Sequence, residues 1–218
     1  MQYRQENCDF SGFPDALKGV KLLFLTDPHV GGNIDTIATE VATQIHILLD
    51  GADPQKTIVL HGGDFVCSAS GGGETSVENY RAVSKHLFRG LSDYQQFGVI
   101  GNHDEENASF SIIREHLETR QNITMLEVPE DVQHVDIEGA TLSIHGIHTL
   151  ADALNAMDKN DRDILMNKYI DSLNVEKTDC NVVLVHNPDG LEFLLRRLRE
   201  TGKKLVHPTL FLAGHTHG

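Results

Sequence analysis

The chain has 218 residues, of which 39% are hydrophobic and 23% are charged. This length and balance are typical of one globular domain with its own core, and they exclude an intrinsically disordered chain. The formal net charge of −14 disfavours a protein whose main partner is a nucleic-acid backbone, because neutralising phosphates requires lysine and arginine.

The three cysteines, Cys8, Cys67 and Cys180, are odd in number and show no Cys-x-x-Cys spacing. They indicate idle thiols in a reducing compartment rather than a disulfide framework or a zinc knuckle. The polar segment 1–14 has no apolar region of signal-peptide length, and no run approaches the roughly 18 apolar residues of a membrane span. We therefore expect a cytoplasmic protein without a membrane span, and the sequence leaves its oligomeric state open.

The first half of the chain alternates short apolar runs with segments whose apolar residues recur three or four apart. The first pattern predicts buried strands and the second predicts amphipathic helices. Asn33 is the expected N-cap of the first helix, and the glycine-containing segment 68–75 is predicted to be a flexible loop. Strands are predicted at 20–26, 57–61 and 97–100, and helices at 33–50, 77–91 and 110–117.

The second half begins with a cluster of short strands, in which Glu138-Gly139 is expected to form a tight hairpin turn. The mostly polar segment 151–180 is predicted to be one amphipathic helix in a surface excursion. Together, the two halves predict two packed sheets flanked by helices, within a single domain covering residues 1–218. Further strands are predicted at 123–128, 134–137, 140–147, 182–185 and 209–213, and a helix at 191–199.

Metal-binding residue types follow five of these apolar runs. In open α/β sheets, the carboxyl ends of the strands are where ligands usually bind. Any one of these motifs arises by chance, and a lone histidine after a strand is more often a hydrogen-bonded structural residue. Five in succession, supplying seven oxygen and nitrogen ligands, are enough for two metal ions. The candidate metal ligands are Asp27, His29, Asp64, Asn102, His186, His215 and His217.

In order, the motifs Asp-x-His, Gly-Asp, Gly-Asn-His-Asp, His and Gly-His-x-His resemble those of the calcineurin-like metallophosphoesterase superfamily, and they span residues 27–217. The segments His186-Asn187-Pro188-Asp189 and Gly-His-Thr-His-Gly are most similar to its bacterial phosphodiesterase branch. The resemblance implies a metallo-dependent phosphatase-like α/β (α+β) fold, a four-layer αββα sandwich with two mixed β-sheets. It also implies that Asp64 bridges two metals. One metal would be held by Asp27, His29, Asp64 and His217, and the other by Asp64, Asn102, His186 and His215.

Carboxylate, amide and imidazole ligands suit Mn, Fe or Zn ions. A pair of such ions clamps a phosphoryl group and generates a bridging hydroxide, which attacks phosphorus in line without a side-chain nucleophile. The sequence therefore predicts a dinuclear-metal-dependent phosphoesterase. The expected substrate is a small-molecule or lipid-linked phosphate ester, and a diester is favoured over a monoester.

His103 is the candidate catalytic residue that is not a metal ligand. It follows Asn102, so it can face the substrate and bind a phosphate oxygen or protonate the leaving group. Asp104 would orient His103 or raise its pKa. The resemblance assigns this kind of role to the matching His and Asp of the Gly-Asn-His-Asp motif. Three other histidines near strand ends match no ligand position and are expected to be structural or to support the site: His61, His145 and His148.

The sequence departs from the family pattern in three places. Pro28 stands in the middle of Asp-x-His, where it stiffens the loop but leaves both ligands in place. The segment 63–67 lacks the Asp-Arg that follows Gly-Asp in protein Ser/Thr phosphatases, which counts against a phosphoprotein substrate. The chain ends at Gly218, whereas family members continue with further strands, so the resemblance implies a truncated sequence.

Three alternatives remain. A nuclease on the same scaffold is disfavoured by the acidic balance and by an aromatic content of 6% without tryptophan. A non-catalytic, metal-bound binding module would be expected to have lost ligands, and none is missing. A mononuclear zinc hydrolase needs only three protein ligands and leaves the others unexplained.

Overall fold

The computed structural model describes residues 6, 13–30, 35–68, 74–148 and 151–215. The chain divides into two compact units. The first is Val20–Met125, and the second is Leu126–Gly218 together with the described residues of Gln2–Gly19. Each unit contains one four-stranded sheet. That the whole chain forms a single domain stays a prediction.

The first unit alternates strands and helices, as its sequence pattern predicts. Its strands are β1 (Lys21–Leu25), β2 (Thr57–His61), β3 (Gln95–Gly98) and β4 (Ile123–Met125), and its helices are α1 (Asp35–Leu49), α2 (Val77–Leu87), α3 (Asn102–Glu106) and α4 (Phe110–Arg120). The strand order is β1-β2-β3-β4 and every pairing is parallel. β2 is buried along its whole length, as expected of a central strand covered on both faces.

Helix α2 shows how local sequence sets the packing of this unit. Ser76 caps the helix by accepting a hydrogen bond from the main-chain N–H of Asn79. Tyr80, Val83 and Leu87 follow at helical spacing and are all buried in one core. The first unit therefore has a hydrophobic core of its own.

The second unit contains the other sheet. Its strands are β5 (Gln133–Ile137), β6 (Ala140–Ile147), β7 (Cys180–Val185) and β8 (Thr209–Ala213), and its helices are α5 (Ala151–Ala156), α6 (Lys159–Ser172) and α7 (Pro188–Thr201). β5 and β6 pair antiparallel through the predicted hairpin, whose turn residues Glu138 and Gly139 have φ values of 53° and 87°. β6-β7 and β7-β8 pair parallel, so this sheet is mixed.

The prediction of one helix in a surface excursion at 151–180 is wrong. The segment forms two helices, α5 and α6, with Asp158 capping the second. Leu154, Met166 and Tyr169 are buried in the same core as residues of β7 and α7. The apolar stripe is narrow and the flanking residues are charged, so the composition concealed a core-forming helix.

Other differences concern element boundaries. The strand predicted at 123–128 is limited to β4 and pairs with β3 in the first sheet. The helix predicted at 77–91 ends at Leu87, and Asn33 lies outside the described residues. Part of the Gly-Asn-His-Asp motif forms the short helix α3, which was not predicted.

The predicted fold class is confirmed. Over the described residues the protein has seven α-helices and two four-stranded sheets, consistent with the αββα type of metallo-dependent phosphatases. Of the two sheets, the second is mixed and the first is parallel over its described strands. None of the helices in the described part of the chain is long and apolar enough to cross a bilayer.

Candidate metal centre

The loops after β1 and β2 run side by side in the first unit. Three main-chain hydrogen bonds join them, from Asp27 N to Gly63 O (3.1 Å), His29 N to Asp64 O (3.0 Å) and Val30 N to Phe65 O (2.9 Å). Because β1 and β2 are parallel neighbours, both loops leave the sheet at its carboxyl edge. This pairing brings the Asp-x-His and Gly-Asp motifs together.

Several candidate ligands have unusual backbone conformations. Asp27, His29 and Asp64 have φ values of 52°, 42° and 53°, and His215 in the second unit has 68°. Among the described non-glycine residues with positive φ, only Asn122 and Glu138 are not candidate ligands. Such conformations cost free energy and concentrate at functional sites, where the surrounding structure enforces them. The backbone therefore marks the same positions as the motifs.

Asp64 is at the centre of the first unit's group. Its side chain is 1% exposed, and its Oδ1 atom accepts a hydrogen bond of 2.9 Å from the main-chain N–H of His103. Its Oδ2 atom lies 3.6 Å from Nε2 of His29. The carboxylate also packs directly on Gly101, where a Cβ atom would lie 2.1 Å from Oδ1. The close approach of the loops after β2 and β3 therefore requires glycine at this position.

His29, Asp64 and His103 form the close group. Their potential ligand atoms all lie within 4.8 Å of one another, and the two imidazole rings pack edge to face with centroids 4.8 Å apart. One carboxylate and two imidazoles suit a borderline divalent ion, so the donor set fits a metal. Asp27 is not in this group of described residues, and its Oδ2 atom accepts a hydrogen bond from Thr26 Oγ1 at 2.6 Å. Asn102 is partly buried as the first residue of α3.

The ring of His103 is hydrogen bonded to Ser68. The Nδ1 atom lies 2.7 Å from Ser68 Oγ, and Ser68 is fully buried. The sequence did not reveal Ser68, because it begins the segment 68–75 that reads as a flexible loop. Residues 69–73 of that segment lie outside the described part of the chain.

Asp104 connects the loop after β2 to the start of α3. Its fully buried carboxylate accepts hydrogen bonds from the main-chain N–H groups of Val66 (3.1 Å) and Gly101 (2.9 Å). The second of these bonds caps the short helix. These hydrogen bonds fix the main chain at Val66 and Gly101. That Asp104 orients His103 directly stays a prediction.

Buried polar side chains that the sequence did not reveal hold the same loops. Asn107 Nδ2 donates to Cys67 O (2.7 Å) and Thr75 O (3.2 Å), and Thr75 Oγ1 donates to Val30 O. Cys67 donates a hydrogen bond from Sγ to the main-chain carbonyl of His29 at 3.3 Å. Burial, with a smaller contribution from the Asp64 charge, raises the pKa of the Cys67 thiol. Cys67 is therefore a neutral packing residue, as the sequence suggested.

His186 and His215 form a pair in the second unit. They follow β7 and β8, which are parallel neighbours with Val185 opposite Ala213. His186 is 1% exposed, and its Nε2 atom lies 3.2 Å from Nδ1 of His215. Two nitrogens held about 2.0–2.1 Å from one tetrahedral ion are separated by about 3.3 Å, so this pair fits adjacent ligands of one metal. His217 lies outside the described residues.

Two other buried histidines have structural hydrogen bonds. His61 Nε2 lies 3.1 Å from Gln96 Oε1, and His145 Nε2 lies 2.9 Å from Asn181 Oδ1. Burial lowers the pKa of each to about 4, so both rings are neutral at pH 7. This agrees with the expectation that they are not ligands.

Residues 20–218 match the model of a family described as calcineurin-like phosphoesterase. No curated protein sequence matches the chain significantly. Among solved structures, one similar chain is a protein of unknown function from Aquifex aeolicus, with 17% identity over 88% of this chain and 89% of that chain and a TM-score of 0.37. At this similarity the Aquifex aeolicus structure carries no argument about function.

The family match covers nearly the whole chain, including every motif from the strand-end loops of the first unit to those of the second. The chain therefore belongs to the calcineurin-like phosphoesterase family and is a metal-dependent hydrolase of phosphoric esters.

Proposed function

We propose that the protein hydrolyses a phosphodiester with the help of two metal ions. The observation that supports this most strongly is the group formed by His29, Asp64 and His103, whose ligand atoms lie within 4.8 Å at the carboxyl edge of a parallel sheet. Asp64 and His29, held by strained backbone, offer a metal a carboxylate and an imidazole, and the ring of His103 beside them is available to act on the substrate.

The assignment of ligands to two ions rests on the family resemblance. One ion would be held by Asp27, His29, Asp64 and His217, and the other by Asp64, Asn102, His186 and His215. The chemistry of the donors fits Mn, Fe or Zn, and the 3.2 Å separation of the His186 and His215 nitrogens supports their binding to one ion. When bound, such ions polarise the phosphoryl oxygens and lower the pKa of a water molecule.

His103 is proposed to act on the leaving group. Its Nδ1 atom is occupied by Ser68, so Nε2 is the nitrogen through which the ring would contact a substrate oxygen. Protonation of the departing oxygen by a positioned imidazole contributes about 10²–10⁴-fold in comparable reactions. Asp104 supports this role indirectly, by fixing the start of the helix that carries His103.

The charge of the loops favours a diester over a monoester. The segments 26–30, 62–68 and 99–107 contain no lysine or arginine, and Glu105 and Glu106 add negative charge. A phosphodiester group carries one negative charge, whereas a monoester carries nearly two at neutral pH, so the monoester needs more cationic support. The same lack of cations disfavours a polyanionic nucleic acid.

The test compares hydrolysis of bis-p-nitrophenyl phosphate and p-nitrophenyl phosphate by metal-free protein reloaded with Mn²⁺. We expect metal-dependent turnover that favours the diester and disappears in Asp64→Ala. With diphenyl phosphate, whose phenol leaving group needs a proton more than p-nitrophenol does, turnover should fall at least about 100-fold in His103→Ala. Asp93→Ala, which changes an exposed aspartate, is the matched control.

Preference for the monoester would make the protein a phosphatase, and turnover of DNA or RNA alone would make it a nuclease. If titration calorimetry detects metal binding but no ester is hydrolysed, a binding module is the better description. Absence of both metal binding and turnover would refute the proposal.

A further inference from the structure

The fully buried hydroxyl of Ser68 is hydrogen bonded to the ring of His103, the candidate catalytic residue. The Oγ and Nδ1 atoms are 2.7 Å apart, which is a short hydrogen bond. Ser68 is 0% exposed, so water does not compete for the ring at this atom.

Both partners are attached to fixed backbone. Next to Ser68, the main-chain N–H of Cys67 donates to Thr75 Oγ1 (3.0 Å) and the carbonyl of Cys67 accepts from Asn107 Nδ2 (2.7 Å). On the other side, the main-chain N–H of His103 donates to Asp64 (2.9 Å). A side chain held at both ends in this way is pre-organised, and pre-organisation is what a catalytic imidazole requires.

We propose that Ser68 is a positioning residue for His103. The Nδ1–H group of His103 donates a hydrogen bond to the hydroxyl oxygen of Ser68. This bond fixes the ring so that Nε2 carries the proton that is transferred. An imidazolium donates from both nitrogens, and after the transfer the neutral ring keeps its Nδ1 proton. The same hydrogen bond to Ser68 therefore persists before and after the step.

A bond forms between the oxygen of the attacking water and phosphorus, and the bond between phosphorus and the leaving oxygen breaks. The leaving oxygen keeps that electron pair and takes the proton from Nε2 of His103. One proton of the attacking water passes to the solvent, and Nε2 of His103 takes up a proton from the solvent before the next turnover. This catalytic part of the inference rests on the proposed function, whereas the orientation of the ring by Ser68 does not.

The first test is spectroscopic and uses the metal-free protein of 218 residues. Two-bond ¹H–¹⁵N spectra of histidine-labelled protein report the tautomer of each ring, and the His103→Gln variant identifies the His103 signals. We expect wild-type His103, when neutral, to be protonated at Nδ1 and Ser68→Ala to shift towards the Nε2-protonated form. Ser84→Ala is the control, because Ser84 is equally buried but its hydroxyl donates to Arg81 O on α2. Identical His103 signals in wild type and Ser68→Ala would overturn the inference.

The second test measures kcat and KM for aryl phosphodiesters that share one structure and differ in leaving-group pKa. We expect Ser68→Ala to lower kcat about 10–100-fold for phenol-type leaving groups, to have little effect with p-nitrophenol, and to leave KM unchanged. In a His103→Ala background, Ser68→Ala should cause no further loss, because the two residues act as a unit.

An equal loss across the whole series, or a full additional loss in the double variant, would reduce Ser68 to a general structural role. If the wild-type protein hydrolyses no ester, the proposed function fails, and the spectra alone decide whether Ser68 orients the ring.

Discussion

Replacement of Gly101 by alanine tests whether the close approach of two loops sets the position of Asp64. Gly101 has φ of −103°, which alanine adopts without strain, so the cost comes only from the new methyl group. A Cβ atom would lie 2.1 Å from Asp64 Oδ1 and 2.4 Å from its main-chain nitrogen, where contacts below 3.0 Å are essentially never found. The carboxylate would have to retreat by about 0.9 Å and the backbone by about 0.6 Å.

We expect Gly101→Ala to lose both stability and turnover. Overpacking at a buried site costs about 1–3 kcal/mol in the free energy of unfolding. Displacing a ligand by about 1 Å costs about 100-fold in turnover, because reacting groups then leave their productive geometry. A 100-fold loss of turnover corresponds to about 2.7 kcal/mol, so Gly101→Ala should lose activity and stability by similar free energies.

The assay pairs urea unfolding of metal-free protein with Mn²⁺ titration and diester hydrolysis. Gly98→Ala is the graded control, because its Cβ would meet His61, Ile123 and Phe65 at 3.1–3.4 Å and would touch no candidate ligand. Gly98→Ala should lose some stability and keep its metal affinity. If Gly101→Ala shows wild-type stability and wild-type metal affinity, the contact between Gly101 and Asp64 does not hold the site.

Three further predictions use the same assays. The pKa of buried His61 is about 4 in the folded protein and 6.5 in the unfolded chain, so stability is lost as the pH falls from about 6.5 towards 4. At pH 5 the metal-free protein should therefore lose about 2 kcal/mol of stability through His61, and the His61→Gln variant should not show this loss. The control variant His86→Gln, which changes an exposed histidine, should show the same loss as the wild type. Asp104→Ala should lower the free energy of unfolding in urea by about 2–4 kcal/mol, because two buried main-chain N–H groups lose their acceptor, and Asp104→Asn should lower it less. Equal stability of the wild type and both variants would show that Asp104 does not fix the two loops. In titration calorimetry, His186→Ala should lower the affinity for one of the two Mn²⁺ ions at least about tenfold and leave the affinity for the other unchanged. Unaltered affinity for both ions would show that His186 is not a metal ligand.

The sequence determined where the strands end and which side chains follow them. Buried parallel strands read as continuous apolar runs, so β2 was predicted with its observed bounds. The bounds of β8, which is only partly buried, were also predicted correctly. The ligand motifs are local in sequence, and each one follows directly from a strand. The order of the motifs then led to the family without any knowledge of distances.

Tertiary structure decided the features that depend on residues far apart in the chain. Ser68 and His103 are 35 positions apart, as are Ser143 and Thr178. The sequence around these residues gives no sign that their side chains are hydrogen bonded. The same holds for Asp104, which the motif suggested as a partner of a histidine ring but which binds main-chain N–H groups on two loops. A hydrogen bond depends on position to a few tenths of an ångström, and only the packed chain fixes that.

The helix at 159–172 illustrates the same limit for packing. Its charged residues suggested an exposed excursion, yet Met166, Tyr169 and Ile170 complete the core of the second unit. The sequence shows which apolar side chains a segment has. Whether those side chains are buried depends on the surface of the rest of the fold against which the segment packs. The motifs and the strand ends were thus determined by local sequence, and the contacts that orient the candidate catalytic residues were decided only by the folded structure.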